Sequence, residues 1–341
     1  MRALIHNPYL DTLGGGERYT MAFAQALNAS GYTVDVAWRD KAIKEQLGKR
    51  FGMDLKNINF TKERSRGDGY DVCFWISDGS IPLLRARKNF LHFQFPFKNV
   101  NGRSLLNKMK LYRIDKIICN SYFTKSFIDE EYGVNSVVIY PPVDVEKIKL
   151  KRKENIILYV GRFSQLTQAK NQDMLITLFK KLVKKENLDW KLVLAGGGGV
   201  GVGDYLNKLR KLAKGYPIDV LENPDLKSLR DLYGKSKIFW SAVGYGAIEN
   251  KDPLKVEHFG ISLVEAMAGG CVPIVYNAGG YKEIVADGIN GYLWKKEKDL
   301  LNETKTLINN QGIMRSISSR ARSDSKVYEY DRFEGEVESM I

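Results

Sequence analysis

The feature that most restricts the fold is an alternation of short apolar runs with amphipathic segments, which starts again after Pro141-Pro142. Apolar runs predict strands at 1–6, 33–38, 70–76, 90–93, 115–119 and 136–140, and again at 156–160, 190–195, 218–221, 238–242 and 272–276. Helices are predicted between them at 17–28, 42–51, 124–132, 172–184, 226–234 and 262–267. Such alternation is typical of doubly wound parallel sheets. We therefore expect an α/β protein of two Rossmann-like domains. The carboxyl edges of their two sheets are expected to face each other across a cleft.

Length and charge indicate where the domains divide. The 341 residues suit two domains, and a highly charged stretch at 146–154 is interpreted as the linker. We expect the domains at 1–145 and 146–325. Aromatic and apolar residues recur at helical spacing over 328–340, so a final helix within 326–341 is expected to pack back on the first domain.

The N-terminus and the cysteines bear on the compartment. Met1-Arg2 leads directly into a short apolar run, which is unlike a signal peptide, and no apolar segment approaches the ~20 residues that span a bilayer. A cytoplasmic protein is expected. The three cysteines, Cys73, Cys119 and Cys271, lie far apart in apolar surroundings, and we interpret them as reduced core thiols.

Positive charge is concentrated in one segment of a chain whose net charge is +13. Between Ile81 and Lys116 the only acid is Asp115, against nine basic residues: Arg85, Arg87, Lys88, Lys98, Arg103, Lys108, Lys110, Arg113 and Lys116. The segment indicates an anionic partner, although a solvated surface explains any single residue equally well. Because no helix-turn-helix, zinc or RNA-recognition signature accompanies it, we favour a peripheral site on an anionic membrane surface over nucleic acid. A non-enzymatic polyanion-binding protein is the alternative from another class.

The stretch 257–291 carries paired acids and paired glycines. Glu257 and Glu265 lie eight residues apart, on either side of the turn Phe259-Gly260-Ile261 that opens the helix predicted at 262–267. The N–H groups at such a helix start have no intrahelical partners, and the helix dipole favours an anion there. A phosphate flanked by two carboxylates that suit hydroxyl groups indicates a nucleotide sugar. For an isolated pair, two solvated helix-end charges are the favoured alternative.

Three further loops carry candidate ligands. Gly14-Gly15-Gly16 separates the first strand from the first helix, where a backbone approaches a ligand closely, although a flexible turn also explains the glycines. Arg162 and Lys170 follow the strand at 156–160. The planar donor fork of an arginine and the point charge of a lysine together suit a diphosphate, although each residue taken singly is more often a surface cation. His92 ends the strand at 90–93, where it either contacts a sugar hydroxyl or is a core histidine bonded to backbone.

A glycine fingerprint favours a different class of enzyme. Gly196, Gly198 and Gly201 fit G-x-G-x-x-G after the strand at 190–195, and Asp219 follows about twenty residues later, as in nicotinamide-dependent dehydrogenases. The fingerprint does not open its half of the chain, as the nicotinamide pattern usually does. We therefore interpret the glycines as a flexible surface loop.

Taken in order, these motifs resemble glycosyltransferase family 4, retaining enzymes of the GT-B fold. The resemblance covers nearly the whole chain and is carried by GGGER at 14–18, GRF at 161–163 with Lys170-Asn171, EHFGISLVEAMAGG from Glu257, and Gly279-Gly280 with Glu283. More narrowly, GGGER, HFQFP and EHFGI are similar to the mannosyltransferases that extend the lipid-linked N-glycan core.

The resemblance implies a role for each candidate residue. Arg162 and Lys170 would hold the diphosphate, Glu257 the donor sugar's hydroxyls, and Glu265 the ribose. The backbone of Phe259, Gly260 and Ile261 would contact sugar and phosphate. Gly15 and Gly16 would let the first domain close on the diphosphate, and His92 would line the sugar subsite, so that Arg162, Lys170, Glu257 and His92 form the catalytic set. The spacer FSQLTQA is longer than usual in the family, which leaves the placement of Lys170 less certain than that of Arg162.

We therefore expect a retaining glycosyltransferase that moves a hexose, with mannose suggested, from a GDP- or UDP-linked sugar to a saccharide or lipid-linked acceptor. The first domain would bind the acceptor and the second the nucleotide sugar. No cofactor and no nucleic acid partner are expected. No metal is expected either, because no Asp-x-Asp motif stands at a strand end and Asp71 and Asp78 are isolated. The departing diphosphate itself would deprotonate the acceptor. A nucleotide-sugar epimerase of the same fold is the alternative enzyme.

Overall fold

The chain divides into two compact α/β units. The computed structural model describes residues 1–62, 65–164, 168–186, 188–198 and 203–341. Unit 1 comprises Met1–Pro142 and Tyr330–Ile341, and unit 2 comprises Val143–Glu329. Each unit contains one parallel sheet, and most of the connections between its strands contain a helix. The predicted class, two Rossmann-like α/β domains, is confirmed.

Unit 1 is built on a seven-stranded parallel sheet. Its first elements are β1 (Arg2–His6), α1 (Gly15–Ala29), β2 (Thr33–Ala37), α2 (Ile43–Phe51), β3 (Ile58–Thr61), β4 (Val72–Ile76), β5 (Lys88–Phe93), α3 (Leu105–Leu111), β6 (Lys116–Cys119), α4 (Tyr122–Tyr132) and β7 (Val137–Val138). The strand order is β3-β2-β1-β4-β5-β6-β7, with Ala3 of β1 paired to Val34 on one side and Val72 on the other. The loops after β1 and β5 therefore emerge at the same carboxyl edge.

Unit 2 is built on a six-stranded parallel sheet in the order β10-β9-β8-β11-β12-β13. Its elements are β8 (Glu154–Val160), α5 (Gln172–Glu186), β9 (Lys191–Gly196), α6 (Gly203–Ala213), β10 (Ile218–Glu222), α7 (Leu226–Lys235), β11 (Ser236–Ser241), α8 (Ile261–Ala268), β12 (Val272–Tyr276), α9 (Tyr281–Ile284), β13 (Tyr292–Trp294), α10 (Glu297–Asn309) and α11 (Gln311–Ser325). The apolar runs inside β8, at 156–160, and β11, at 238–240, are typical of a parallel sheet that is covered on both faces.

The final helix, α12 (Tyr330–Glu338), belongs to unit 1. Phe333 and Val337 are buried in the same apolar cluster as α1 and the central strands. The Phe333 ring meets Tyr19 of α1 edge-on, with 5.2 Å between centroids. The amphipathic pattern that predicts this helix thus supplies one apolar face to the unit 1 core.

Several elements differ from those expected. The sequence analysis predicted no counterpart for β3, α3, α6, β13, α10 and α11, and β7 is shorter than the run at 136–140. The charged stretch at 146–154, interpreted as a linker, contains the buried side chain of Ile148 and ends in the first residue of β8. Lys153 of the same stretch donates to the Ser236 and Gly269 carbonyls, so the segment packs into unit 2.

The three cysteines are buried and free, as expected. Burial raises the pKa of the thiols of Cys73 and Cys119 to about 12 and that of Cys271 to about 11. Throughout the described ranges, no helix combines the length and apolarity needed to cross a membrane.

Candidate functional site

The candidate residues of unit 2 stand on the loops that follow β8, β11 and β12. Arg162 lies two residues beyond β8, and Lys170 ends the same loop, just before α5. Glu257 lies between β11 and α8, and Gly279 and Gly280 lie between β12 and α9. Because the three strands are parallel, the loops emerge at one edge of the sheet, which is where ligands bind in open α/β sheets.

An ion pair joins two of these loops. The Lys170 Nζ lies 3.0 Å from the Glu257 Oε2, and the two side chains are only 12% and 19% exposed. Lys170 also donates to the side-chain oxygen of Gln168, whose amide nitrogen donates to the Val256 carbonyl. The end of the loop after β8 is thereby fastened to the turn that precedes α8, and two residues that were predicted separately, Lys170 and Glu257, are in direct contact.

Arg162 is held by its backbone and leaves its side chain exposed. Its carbonyl oxygen accepts from the Gln172 side chain at 2.9 Å, and the next amide, of Phe163, donates to the Gly197 carbonyl at 3.0 Å. Within the described residues, no carboxylate lies within ion-pair distance of the guanidinium group. The fork of donors is therefore available to an anion in solution.

The charges of Arg162 and Glu257 both act on the pKa of a buried tyrosine, Tyr159. The Tyr159 ring, on β8, is fully buried, and burial is the main reason that the pKa of its hydroxyl lies well above the usual value. The negative charge of Glu257 raises that pKa further, whereas the positive charge of Arg162 lowers it. Both charged groups are thus close enough to act on the same hydroxyl.

The start of α8 offers backbone donors. Gly260 precedes the helix at φ 120° and ψ 57°, a conformation that L-residues rarely adopt, and a Cβ there would lie 2.8 Å from the Tyr281 ring. No side chain caps the helix, so the first amide groups, beginning at Ile261, point outward without intrahelical acceptors. The Phe259 side chain is buried against Tyr328, which leaves only its backbone for a ligand. This geometry suits an anion.

Gly279 and Gly280 pack against the turn at 257–260 that precedes α8. The Gly280 amide donates to the Glu257 carbonyl at 2.8 Å, and the Gly279 amide donates to the Glu249 carboxylate at 2.9 Å. A Cβ on Gly279 would lie 2.0 Å from the Glu257 carbonyl oxygen, and one on Gly280 would lie 2.5 Å from the His258 carbonyl oxygen. The paired glycines therefore let two backbones pack in direct contact.

Glu265 lies on α8, one turn beyond its start. Its Oε2 accepts from the Tyr233 hydroxyl at 2.9 Å. This bond orients the carboxylate, and contact with a ribose stays a prediction.

His258 stands between Glu257 and Phe259 and was not singled out by the sequence reading. Burial lowers the pKa of its imidazole to about 4, although the neighbouring Glu257 acts in the opposite direction. The ring is therefore neutral near pH 7, and the only cue in the sequence was its place inside the EHFG turn.

In unit 1, the predicted glycines open α1. Glu17 closes the loop, because its carboxylate accepts from the Gly14 amide and from the Thr12 hydroxyl, each at 2.7 Å. The amides of Gly15 and Gly16 follow in the first turn, where no intrahelical acceptor is in reach. Glu17 of the GGGER motif thus acts on the loop itself.

Gln94, which the sequence analysis did not single out, lies beside the predicted glycine loop. Its side chain lies directly against Gly16, where a Cβ would be 1.7 Å from the Gln94 Oε1. Gln94 is 8% exposed, and its Nε2 has no hydrogen-bond partner within the described part of the chain. A buried amide with an unused donor is costly unless a ligand satisfies it.

His92 lies inside unit 1. Its ring is 0% exposed and stacks on Tyr19 and Phe74, with centroids 4.2 Å and 5.6 Å away. Burial lowers the pKa of the imidazole to about 3, and neither ring nitrogen has a hydrogen-bond partner within the described residues. The stacked and buried ring fits a core histidine, although not one that is bonded to backbone, and contact with a sugar stays a prediction.

The glycine fingerprint lies partly beyond the described residues. Gly201 falls in the undescribed range 199–202. A Cβ on Gly196 would lie 1.9 Å from the Gly161 carbonyl oxygen, and one on Gly198 would meet the Glu222 carboxylate at 2.4 Å. The close approach of the loops after β8 and β9 therefore accounts for Gly196 without a dinucleotide.

Acidic and metal-binding side chains are dispersed. Over the ranges that the structure describes, no three residues among His, Cys, Asp and Glu form a group that could hold a metal ion. Metal-independent chemistry stays a prediction.

Two family models match the chain, one for each half. The model described as glycosyl transferases group 1 matches residues 142–324, and that of glycosyltransferase family 4 matches residues 13–147.

Two curated relatives match part of the chain at 28% and 30% sequence identity. An uncharacterized glycosyltransferase of Methanocaldococcus jannaschii is 28% identical over 220 residues, which is 64% of this chain and 56% of the relative. The human GDP-Man:Man(3)GlcNAc(2)-PP-Dol alpha-1,2-mannosyltransferase is 30% identical over 205 residues, covering 54% of this chain and 39% of the relative. The chain thus matches about half or less of the length of these relatives.

A solved structure matches the fold over almost the whole length. The Anabaena protein Alr3699/HepE, crystallised in complex with UDP and glucose, superposes with a TM-score of 0.75 at 19% sequence identity, covering 99% of this chain and 98% of that chain. This likeness confirms the GT-B fold class.

Proposed function

The chain belongs to the glycosyl transferases group 1 family, and from that premise we propose that it moves a hexose from a nucleotide diphosphate sugar to a saccharide or lipid-linked acceptor, with retention of anomeric configuration. The observation that carries the proposal is the contact of Lys170 with Glu257 beside the uncapped start of α8. It combines a cation, a carboxylate and backbone donors, which a diphosphate joined to a polyol requires.

Each donor group has a matching partner in unit 2. The diphosphate lies at the α8 start, at the amides of Phe259, Gly260 and Ile261, and is neutralised by Arg162 and Lys170. Glu257 accepts hydrogen bonds from the sugar hydroxyls, and Glu265 accepts from the ribose diol. When the donor binds, Lys170 exchanges part of its contact with Glu257 for the diphosphate.

The charges also account for the chemistry. Breaking the bond between sugar and phosphate leaves positive charge on the anomeric carbon and negative charge on the departing diphosphate. Arg162, Lys170 and the α8 dipole stabilise that negative charge from fixed positions, which is worth several kcal/mol in such sites. The departing diphosphate takes the acceptor's proton on the same face, so configuration is retained without a metal.

Unit 1 is assigned to the acceptor, while Gly15, Gly16 and His92 keep the roles toward the donor that the family resemblance implies. Gln94 joins these three residues because its unused side-chain donor lies at Gly16. Mannose is favoured as the sugar because the human relative is a GDP-Man-dependent mannosyltransferase by name.

The basic run between Ile81 and Lys116 supports peripheral association with an anionic membrane surface that presents a lipid-linked acceptor.

The experiment is a transfer assay with GDP-mannose, UDP-glucose and ADP-glucose against simple glycosides and a short polyprenyl-diphosphate glycan. We expect release of one nucleoside diphosphate that depends on the acceptor and persists in EDTA, and an α-linked product by NMR. An epimerised nucleotide sugar formed without acceptor would indicate the epimerase instead. Absence of turnover with every donor would overturn the proposal.

A further inference from the structure

The helix α3 (Leu105–Leu111) buries none of its side chains. Leu105, Leu106 and Met109 are 75%, 61% and 66% exposed, and Tyr112, which caps the helix, is 93% exposed. A helix that connects two parallel strands normally covers the sheet with its apolar side chains. Here Leu105, Leu106, Met109 and Tyr112 are instead exposed to solvent.

The exposed side chains form one face of the helix. At about 100° per residue, Tyr112, Leu105, Met109 and Leu106 fall within an arc of about 120°. Lys108 and Lys110 stand at the two borders of this arc. Leu111 lies on the opposite side and packs against the cluster of β5, β6 and α4. The helix therefore presents an apolar strip, edged by lysines, to the outside.

The loop before α3 is firmly held. The Glu131 carboxylate accepts from the amides of Asn99, Val100 and Gly102 at 2.8, 3.0 and 3.0 Å. The Arg103 guanidinium donates to the Glu130 carbonyl. Both acceptors belong to α4, so the exposed strip is presented by an anchored segment, and its exposure is a property of the fold.

The surrounding charge is of one sign. From residue 97 to residue 114 the sequence contains five basic residues and no acid: Lys98, Arg103, Lys108, Lys110 and Arg113. Apolar side chains flanked by long cationic ones are the pattern of helices that lie in a membrane interface, where lysines reach anionic headgroups. A second copy of this chain docked on the same strip would bring like charges together, which disfavours a dimer through this face.

We propose that α3 is a membrane-docking helix, which lies parallel to an anionic bilayer and inserts Leu105, Leu106, Met109 and Tyr112 among the lipid chains. Lys108 and Lys110 then contact the headgroups on either side. The inference rests on the lipid surface named in the proposed function. It adds that α3 makes the contact, that its apolar side chains insert among the lipid chains, and that the helix lies parallel to the bilayer.

The test uses the full chain and vesicles of phosphatidylcholine with and without phosphatidylglycerol, in a sedimentation assay. The variant Leu105→Ser/Leu106→Ser/Met109→Ser should bind anionic vesicles at least about tenfold more weakly, since each lost side chain removes several buried methylene groups. The control Ile248→Ser/Ile289→Ser changes two residues of unit 2 that are each 57% exposed and should bind normally. Unchanged binding of the α3 variant would overturn the proposal.

A second measurement reports insertion directly. Leu106→Trp should be quenched by brominated lipid chains, whereas Ile289→Trp should not. A Leu106→Trp protein that binds vesicles without quenching would mean attraction by charge alone and would overturn insertion. Self-association of the wild type that the α3 variant abolishes, without vesicle binding, would assign the strip to a second copy. Nucleotide-sugar binding, measured on the same proteins, separates failure of this inference from failure of the transferase proposal.

Discussion

Lys170 and Glu257 come from loops 87 residues apart and meet with 3.0 Å between Nζ and Oε2. The pair is more than four-fifths buried on both sides. A buried pair that loses one partner leaves an uncompensated charge, which costs far more than a surface pair is worth. The contact therefore has two measurable consequences, one for the fold of the loops and one for transfer.

Replacement of Glu257 by Gln tests the consequence for transfer. Gln retains the shape but not the charge, so we expect the transfer rate to fall by about 10²–10³, the range found when one preorganised group is removed from an active site. Steady-state kinetics with the preferred donor measure the change. The control is Glu297→Gln, which breaks the exposed pair between Lys181 and Glu297 in the same unit and should leave the rate within twofold. Equal effects of the two substitutions would remove Glu257 from the site.

The packing of Gly279 on the Glu257 backbone predicts a large stability effect. Gly279→Ala adds a Cβ 2.0 Å from the Glu257 carbonyl oxygen, at φ 59°, and should cost more than about 3 kcal/mol because the backbone cannot yield cheaply. Gly288→Ala is the matched control, with φ 74° and no atom within 4 Å of the added Cβ, and should cost about 1 kcal/mol. Chemical denaturation of unit 2 measures both. Similar losses would show that backbone conformation alone, and not loop contact, matters at Gly279.

Gln94 should affect activity and stability in opposite directions. Gln94→Leu removes a buried donor that has no partner within the described residues, so stability should hold or rise while transfer falls by about tenfold or more. The control is Asn89→Leu, because the Asn89 amide is equally buried but bonds the Ala86 backbone through both its oxygen and its nitrogen. That variant should lose stability. A Gln94→Leu protein that is less stable and fully active would make Gln94 structural.

Much of the fold could be predicted because its signals are local. The apolar runs of β1, β8 and β12 and the amphipathic repeats of α1 and α5 each lie within one segment, and their tandem order predicts two parallel sheets. The element α3 gives no such signal, since a helix without a buried face shows no core-facing period. The four-residue β3 is too short to stand out from its polar neighbours.

The site could be predicted only in part, because its contacts join distant residues. The EHFG turn, Arg162 and Lys170 were found as residue types that suit a diphosphate. That Gln94 lies on Gly16, or that Gly279 lies under Glu257, depends on which loops the sheet brings together. The burial of His92 likewise depends on Tyr19 and Phe74 from other elements, which position at a strand end does not reveal.

His92 predicts that unit 1 loses stability in acid. Burial holds the pKa of the folded imidazole at about 3, below its usual 6.5, so the unfolded chain takes up a proton first as the pH falls. Stability is therefore full above about pH 6.5 and declines by about 1.4 kcal/mol per pH unit below it, down to the folded pKa. The variant His92→Phe keeps a stacked ring and should reduce the stability difference between pH 7 and pH 5 by about 2 kcal/mol. Urea denaturation at both pH values measures it, and an unchanged difference would place His92 in contact with solvent.

The most direct test of the central claim is donor binding by unit 2, measured as thermal unfolding of the full chain with GDP-, UDP- and ADP-linked sugars. One nucleotide class should stabilise the protein by about 2.7 kcal/mol at 100 times its dissociation constant. Arg162→Ala should lose most of this stabilisation, whereas Arg320→Ala, which removes an exposed arginine paired with Asp324, should keep it. If no nucleotide sugar stabilises the wild type, or if Arg162→Ala responds as fully as the wild type, the site assigned here does not bind the donor.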